Sequence, residues 1–457
     1  MSKKPKHIYL IIADSLRYDS VYQKEGLGID YIQNHATEFT KVSSSACWTL
    51  PATASIFTGL LPHEHGATSQ SRMLGKDTVT LGEQLQKQGY KTYQITANVA
   101  TTEIFGLDKG FNEIHRSWDI CDPKTKLVNT LLLILSKPRI RKQISLSKDI
   151  VTKALSKDIK AGSVWIESHM EGIFSKVKEL TEENDAKDQP CFFFINLMES
   201  HFPYHINTAF KVLSKGPVAS YKELKHMYSF VNQNFLQTGE QNIPVDILNK
   251  IKYRQKLSWK LIRESLDSFV ESVHSSKENL VIFGSDHGEN FGDQDWLYHF
   301  SNVTDACTRV PLFWLDPGQN SAEVISDPKN SNRLYEAILQ SAMGNNEKDN
   351  GLFKHREESL PISQTYWYNN KNKTLDRLKY NQFSFNIGDA RYLFKQGDWY
   401  EGKVTNYNLE EEEMKFEKIS KSDSDIKDII GEPEAIEFIF QKLEAYRIFE
   451  KTLLPKS

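Results

Sequence analysis

The sequence predicts an α/β fold with a mostly parallel sheet that is covered by helices on both faces. Five short runs rich in β-branched and aromatic residues predict buried strands: HIYLIIA (7–13), YKTYQITA (90–97), CFFFINL (191–197), NLVIFGS (279–285) and VPLFWL (310–315). Segments of helical periodicity alternate with them, at about 28–36, 52–60, 79–88, 160–180, 218–233, 245–274 and 331–342. With 457 residues, 39% of them hydrophobic, the chain is long enough for a large core.

A change in composition near residue 345 predicts two domains, a main domain over 1–345 and a smaller one over 346–457. The segment GNNEKDNG is typical of a linker. Three runs beyond it, QFSFNIGD, ARYLFKQG and WYEGKV, predict a small antiparallel sheet. The amphipathic segment 434–453 predicts a closing helix, so the smaller domain is expected to be α+β.

Charge and cysteine content exclude several functional classes. The net charge is −3, which gives no reason to expect nucleic acid as a partner. The apolar run after the basic N-terminus is about seven residues long, too short for the core of a signal peptide. The four cysteines form no CxxC pair, so neither a zinc knuckle nor a redox motif is expected. A cytoplasmic protein with reduced thiols is therefore expected.

The segment 124–142 sets basic residues around the apolar core LVNTLLLILS. Such a pattern is compatible with a helix packed on the domain, whose lysines are solvated. It is also compatible with peripheral contact to a membrane surface or a lipid phosphate. The expected partner is accordingly a small-molecule or lipid-like ester substrate.

Polar residues follow three of the predicted strands where each strand ends. Asp14 follows the first run, His201 comes shortly after CFFFINL, and Asp286 and His287 follow NLVIFGS. The carboxyl ends of parallel strands meet at one edge of a sheet, where ligands usually bind. Adjacent Asp286 and His287 can both reach one cation, and Asp14 can supply a third ligand. These residues predict a metal site.

Five segments in order resemble the landmarks of the alkaline phosphatase superfamily, in its sulfatase-like branch: IIADSLRYDS, WTLPATASIFTGLLPHEHG, FFFINLMESHFPY, LVIFGSDHGENFGD and TRVPLFWL. The resemblance covers about residues 7 to 315. It implies an alkaline phosphatase-like three-layer α/β/α sandwich with a mostly parallel central sheet, followed by a small C-terminal α+β subdomain. It also implies a hydrolase acting on ester bonds.

The resemblance places the nucleophile at Thr49. Sulfatases carry the motif Cys-x-Pro-x-Arg, in which the cysteine is oxidised to formylglycine. Alignment on Pro51 puts Thr49 at the cysteine position and Thr53 at the arginine position, while Cys47 lies two residues too early. The maturation motif is therefore absent, and Thr49 resembles the threonine nucleophile of other members of the superfamily. Cys47 is expected to be a packing residue.

The same resemblance implies one divalent metal ion, held by four residues: Asp14, Thr49, Asp286 and His287. Sulfatases usually carry a second aspartate where this chain has Ser15, and often an asparagine where it has His287. Fewer hard oxygen ligands shift the preference from calcium towards manganese or zinc. Mn²⁺ is therefore the preferred ion, with Zn²⁺ or Ca²⁺ as alternatives.

Three further residues are expected in the site. His201 matches a histidine that contacts the transferring group, and it can protonate the leaving oxygen. His299 lies where the branch carries a basic substrate contact. Asn98 either donates a hydrogen bond to a phosphoryl oxygen or only caps a helix. Arg17 is expected on the surface, and His65 is expected to stabilise the turn after the nucleophile helix.

The leading functional hypothesis is a metal-dependent phosphodiesterase or phosphomonoesterase that forms a phosphothreonine intermediate. A sulfatase-like sulfuric ester hydrolase and a phospho-alcohol transferase would use the same site. A non-catalytic binding protein that retains the fold is the alternative from another class. The joint presence of Asp14, Thr49, Asp286 and His287 favours an enzyme.

Overall fold

A computed structural model describes most of the chain. The described residues are 4–22, 26–120, 169–204, 223–224, 243–299, 302–345, 351–354, 360–366, 381–387, 390–395, 397–403, 417–420, 422–431 and 433–453. The predicted helix 218–233, apart from residues 223 and 224, and the basic segment 124–142 lie outside them. The linker proposed at the domain boundary lies largely outside them as well, so the division at residue 345 stays a prediction.

The strands are, in chain order, β1 (His7–Ala13), β2 (Thr37–Ser43), β3 (Lys91–Thr96), β4 (Glu113–Arg116), β5 (Cys191–Leu197), β6 (Leu280–Gly284), β7 (Asn290–Phe291), β8 (Leu297–Tyr298), β9 (Arg309–Leu315), β10 (Glu323–Ile325), β11 (Lys329–Asn330), β12 (Ile362–Thr365), β13 (Gln382–Ile387), β14 (Ala390–Lys395), β15 (Asp398–Lys403) and β16 (Glu417–Ser420). The helices are α1 (Tyr18–Val21), α2 (Asp30–His35), α3 (Thr49–Thr58), α4 (Pro62–His65), α5 (Leu81–Lys87), α6 (Ser117–Ile120), α7 (Met170–Asp185), α8 (Val245–His274), α9 (Asp305–Thr308), α10 (Leu334–Ala342), α11 (Asp423–Ile430) and α12 (Pro433–Leu453).

The main sheet has the strand order β10-β2-β9-β6-β1-β5-β3-β4, with β11 also paired to β2. Strand β1 lies near the middle and pairs in parallel with β5 and β6. In the described part of this sheet, β9 alone runs against the other strands. The sheet is therefore mostly parallel, and the ends of β1, β3, β5 and β6 share one edge.

Both faces of the central strands are buried in separate hydrophobic clusters. Alternate residues of β1, such as Tyr9 and Ile11, pack with α7 and α8 on one face. The residues between them, such as Ile8 and Leu10, pack with α3, α5 and α10 on the other face. A strand whose side chains are buried on both sides reads as a continuous apolar run, which is why HIYLIIA and CFFFINL predicted their strands to the residue. The three-layer α/β/α sandwich is confirmed.

Five strands of the main sheet differ from the sequence-based expectation, including the short strands β10 and β11, which were not predicted. Strand β2 was not predicted, because its residues TEFTKVS are partly polar and several are only half-buried. Strand β4 is short and half-buried along its length, so it also lacked an apolar run. The run VPLFWL lies in β9, which is antiparallel to its neighbours. The connection from β6 to β9 does not cross the sheet as a parallel pair would require.

The C-terminal part contains a five-stranded antiparallel sheet in the order β12-β13-β14-β15-β16, with α12 packed against it. The predicted meander is confirmed as β13 to β15, and the predicted closing helix as α12. Strands β12 and β16 were not predicted. Among the described residues, no helix is both long and apolar enough to cross a membrane.

A buried arginine joins the two parts of the structure. Arg391 on β14 is 1% exposed and forms an ion pair with Asp305 of α9. Its guanidinium also donates to Thr308 Oγ1 at 2.7 Å and lies 3.4 Å from the hydroxyls of Ser363 and Ser384. The C-terminal sheet is therefore bonded to the segment that leads into β9.

We expect Arg391→Met to lower the free energy of unfolding by about 3–5 kcal/mol, because Asp305 stays buried without its counter-charge. Adding Asp305→Asn should recover part of this loss. Lys418→Met is the control: it breaks an exposed ion pair with Asp398 and should cost less than about 1 kcal/mol. Denaturant unfolding measures all four proteins, and equal losses for Arg391→Met and Lys418→Met would contradict this role of Arg391.

Candidate active site

The ends of three neighbouring strands, β1, β5 and β6, bring several polar residues together, among them three of the predicted site residues. Asp14 directly follows β1, and Asp286 and His287 follow β6. The register pairs Ile12 with Asn196 of β5 and with Gly284 of β6, so the chain leaves these strands at one level. The side chains of Asp14, Asn196, Asp286 and His287 are all buried. The parallel register therefore places these four residues side by side.

Helix α3 presents Thr49 to this cluster. Trp48 is extended and Thr49 is the first helical residue, whereas the sequence placed it just before the helix. Thr49 Oγ1 lies 3.4 Å from both carboxylate oxygens of Asp14 and 3.3 Å from Nε2 of His287. The N-terminal turn of a helix offers unpaired backbone N–H groups that favour an anion. A group transferred to Thr49 would lie at that end of α3.

Three of the four predicted metal ligands form a cluster with the right composition for a cation. Ligand atoms of Asp14, Asp286 and His287 all lie within 4.8 Å of one another, and all three residues are buried. Among the described residues, Asp286 Oδ2 has no hydrogen-bond partner although it is buried. The ring of His287 is held through Nδ1, 2.8 Å from the Gly288 carbonyl oxygen. Two carboxylates, an imidazole and the hydroxyl of Thr49 fit a divalent ion.

The pKa shifts of Asp14, Asp286 and His287 also fit a site for a divalent cation. Burial opposes ionisation of Asp14, but His201 nearby and the amides of Asn98 and Asn196 outweigh it and hold its pKa below the usual value. Burial and the charge of Asp14 raise the pKa of Asp286 well above its usual value. Burial lowers the pKa of His287 to about 3. A cation would allow both carboxylates to be charged and would find a neutral imidazole to bind.

The two other predicted histidines lie beside this cluster. The ring of His299 is 4.7 Å from the ring of His287 and 5.2 Å from the ring of His201. His201 is fixed by a contact of 3.0 Å between its Nδ1 and the Phe202 carbonyl oxygen. Burial opposes the charge of His299, but Glu289 raises its pKa above the ordinary value. The structure thus brings both histidines to the site.

Asn98 caps a helix, which was one of the two alternatives, and its amide also reaches Asp14 and Thr49. Its Oδ1 accepts from the backbone N–H of Ala100 at 2.8 Å, which caps the short 3₁₀ helix over 99–101. Its Nδ2 donates to Asp14 Oδ2 at 2.6 Å and to Thr49 Oγ1 at 3.2 Å. The cap therefore orients the Asn98 amide towards Asp14 Oδ2 and Thr49 Oγ1.

The expectation for Arg17 was wrong. Arg17 is only 2% exposed and makes a bidentate ion pair with Asp19. Its Nη1 also donates to the Glu289 carbonyl oxygen at 2.7 Å and to Asp293 Oδ2 at 2.8 Å. A buried arginine needs such partners to offset the loss of hydration. Arg17 therefore connects the segment after β1 to the segment after β6, which carries Asp286 and His287.

Sequence reasoning also missed Asn196, whose Nδ2 donates to Asp14 Oδ2 at 3.2 Å. The available signal was an amide inside the otherwise apolar run CFFFINL, near its carboxyl end. Cys47 is buried with Sγ 3.5 Å from Thr365 Oγ1, as expected for a packing residue. His65 is buried in α4 with Nε2 3.1 Å from Ser55 Oγ, so it supports the nucleophile helix.

Comparison with known proteins identifies the family. The model of the sulfatase family matches residues 6–344. The chain belongs to the sulfatase family. A member of this family is an ester hydrolase, which sets aside the alternative of a non-catalytic binding protein. No curated protein matches the sequence.

Several solved structures share the fold of this sulfatase-family chain. The phosphonate monoester hydrolase of Agrobacterium radiobacter superposes with a TM-score of 0.62 at 14% identity, over 97% of this chain and 96% of that one. The phosphonate monoester hydrolase SpPMH of Silicibacter pomeroyi gives 0.61 at 13% identity, over 98% and 96%. A 2-O GAG sulfatase gives 0.59 at 12% identity, over 97% and 94%. At such identities the likeness shows the alkaline phosphatase-like fold.

We expect Asp286→Asn to abolish most of the stabilisation that Mn²⁺ or Zn²⁺ gives. At 100 times its Kd, one ion should stabilise the wild type by about 2.7 kcal/mol. The metal-free variant should be at least as stable as the metal-free wild type, because asparagine does not repel Asp14. Asp185→Asn, at the opposite end of β1, is the control and should retain the full gain. Thermal unfolding with and without metal measures this, and an unchanged gain in Asp286→Asn would contradict the site.

His65 should make the protein less stable in acid. Burial lowers the pKa of His65 to about 3, while the unfolded chain has the ordinary value near 6.5. Between these values the unfolded state binds the extra proton, so stability falls as the pH falls. From pH 7 to pH 5 this amounts to about 2 kcal/mol. His65→Gln should lose this part of the pH dependence, as measured by denaturant unfolding of metal-free protein. Identical slopes in both proteins would contradict it.

Proposed function

We propose that the chain is a metal-dependent hydrolase of phosphoric esters, a phosphodiesterase or phosphomonoesterase, that forms a phosphothreonine at Thr49. The observation that carries the proposal is the position of Thr49 Oγ1. It lies 3.4 Å from the carboxylate of Asp14 and 3.3 Å from Nε2 of His287, at the first residue of α3. A hydroxyl in this setting is suited to become a nucleophile.

The residue type at position 49 favours phosphoryl over sulfuryl transfer. A formylglycine hydrate can release sulfate by collapsing to an aldehyde. A threonine ester has no such route, so water or another alcohol must displace the group from Oγ1. Phosphothreonine allows this second displacement. Thr53, rather than arginine, at the end of the motif also favours a nucleophile that needs no maturation.

In the first step, Thr49 Oγ1 attacks phosphorus and its proton passes to solvent. The new P–Oγ1 bond forms as the bond from phosphorus to the leaving oxygen breaks. His201 or His299 gives a proton to that oxygen, so the product leaves as a neutral alcohol. The Nδ2 of Asn98, 3.2 Å from Oγ1, donates a hydrogen bond to a phosphoryl oxygen.

In the second step, a water molecule attacks phosphorus and the P–Oγ1 bond breaks. The histidine that donated its proton accepts one from the water, and Thr49 Oγ1 takes a proton back from solvent. Phosphate, or a phosphate monoester from a diester substrate, then leaves, and the site returns to its starting state. Every bond that forms on phosphorus is matched by one that breaks.

The residues that would hold the ion are Asp14, Thr49, Asp286 and His287. When bound, a divalent cation lowers the pKa of the Thr49 hydroxyl and neutralises charge on the transferring group. The imidazole nitrogen in the set favours Mn²⁺ or Zn²⁺ over Ca²⁺. Two of the solved structures with this fold are phosphonate monoester hydrolases, which supports chemistry at phosphorus.

Sulfuric ester hydrolysis is the second candidate, and the match to the sulfatase family model favours it. The two candidate reactions use the same residues, one on a phosphoric ester and the other on a sulfuric ester. They differ in whether Thr49 can be regenerated by water at a useful rate. Substrate tests on the metal-loaded protein separate them.

We expect the Mn²⁺-loaded or Zn²⁺-loaded wild type to hydrolyse aryl phosphodiesters or monoesters faster than aryl sulfates. Thr49→Ala should lower kcat/KM by at least about 10³-fold while metal binding, measured by calorimetry, is weakened less. Thr58→Ala is the matched control, because its hydroxyl lies at the far end of α3, where it donates to the Ala54 carbonyl oxygen and accepts from the Leu60 N–H. Release of aryl alcohol is the readout.

Activity on aryl sulfates alone would refute the phosphoryl assignment. Phosphatase activity that survives Thr49→Ala would refute the nucleophile. Acid quenching during turnover of a labelled phosphoester should trap label on the wild type and none on Thr49→Ala.

A further inference from the structure

One of the three histidine rings at the site is held differently from the others. In His201 and His287 the Nδ1 atom faces a backbone carbonyl oxygen of the following residue, at 3.0 and 2.8 Å. In His299 the Nδ1 atom faces a carboxylate oxygen, Glu289 Oε1, at 3.0 Å. A carboxylate holds an imidazole more strongly than a carbonyl does, and it keeps the ring in one tautomer.

The carboxylate of Glu289 is itself fixed. Glu289 is completely buried, and its second oxygen, Oε2, accepts from the Tyr204 hydroxyl at 3.1 Å. Its backbone carbonyl accepts from Nη1 of Arg17, and its backbone N–H donates to the Ala306 carbonyl oxygen at 2.9 Å. The backbone and both carboxylate oxygens are therefore restrained, so the position of Oε1 is defined by the surrounding structure.

An ionised carboxylate only accepts hydrogen bonds, so Nδ1 of His299 must carry the proton in this contact. The other ring nitrogen, Nε2, is then free of that proton, and the His299 ring lies tilted beside the rings of His287 and His201. We propose that Glu289 is a positioning residue for the hydrolysis: it sets the tautomer and orientation of His299 so that Nε2 meets the transferring ester. This rests on the proposed substrate contact of His299.

A purely structural role is the competing explanation, because Glu289 also ties Tyr204 to the segment after β6. Asp293 supplies a matched comparison on the same segment. It is a half-buried carboxylate that accepts from Arg17 Nη1 at 2.8 Å and from the Phe291 N–H at 2.7 Å. Neither bond involves His299, so Asp293→Asn removes a nearby charge without acting through that ring.

A double-mutant cycle tests the proposal. In the wild-type background Glu289→Gln should lower kcat about 10- to 100-fold, with a smaller change in KM. In the His299→Ala background the same change should cost less than about twofold, because the ring that it positions is gone. Asp293→Asn should have the same factor in both backgrounds. An equal factor for Glu289→Gln in both backgrounds would overturn the proposal.

The cycle uses whichever aryl phosphodiester, monoester or sulfate the metal-loaded wild type hydrolyses. Activity on sulfate alone therefore defeats the phosphoryl assignment and leaves the positioning of His299 readable. If Glu289→Gln does not fold, Tyr204→Phe takes its place under the same criterion, with a smaller loss expected. Nitrogen-15 NMR of the histidine rings in the Zn²⁺-loaded protein, assigned with His299→Ala, gives a readout apart from activity. A proton found on Nε2 rather than Nδ1 would overturn the proposal.

Discussion

The structure depends on two carboxylates, Asp14 and Asp286, that are buried side by side at the edge of the main sheet. Burial alone disfavours their charges, and each disfavours the charge of the other. The surrounding groups reduce this cost: the amides of Asn98 and Asn196 bond to Asp14, and the backbone N–H groups of Ser15 and His287 reach Asp286. One oxygen of Asp286 is still without a hydrogen bond among the described residues. A cation between the carboxylates would complete the set of interactions.

The features that were predicted correctly are those that a run of consecutive residues encodes. A central strand buried on both faces is a continuous apolar run, and a ligand at its end is a carboxylate that interrupts the run. Asp14 and Asp286 could therefore be found without any knowledge of tertiary contacts. The proposed nucleophile required more, because Thr49 is distinguished from Cys47 only by its spacing from Pro51 in a motif that resembles a known one.

The features that were missed depend on contacts between distant segments. Arg17 looks like any surface arginine until Asp293 and Glu289, more than 270 residues away, surround it. Glu289 follows the predicted ligands by two positions, yet its importance comes from His299 and Tyr204, which reach it from two other turns. A strand such as β2, whose half-buried positions are polar, lacks the apolar run that marks its neighbours. Local composition therefore does not show whether a charged residue is buried, nor whether a partly polar segment is a strand of the sheet.

The ion pair between Arg391 and Asp305 connects the part of the chain that carries the candidate site to a residue beyond the family match. The family model ends at residue 344, and every proposed site residue lies before that point. The segment that carries Asp286, His287 and His299 nevertheless ends at α9, whose acidic side chain is neutralised from β14. If the part after residue 344 were exchanged for that of a relative without this arginine, the carboxylate of Asp305 would be buried without its counter-charge. A unit that keeps this ion pair therefore extends at least to β14, beyond the part that the family model matches.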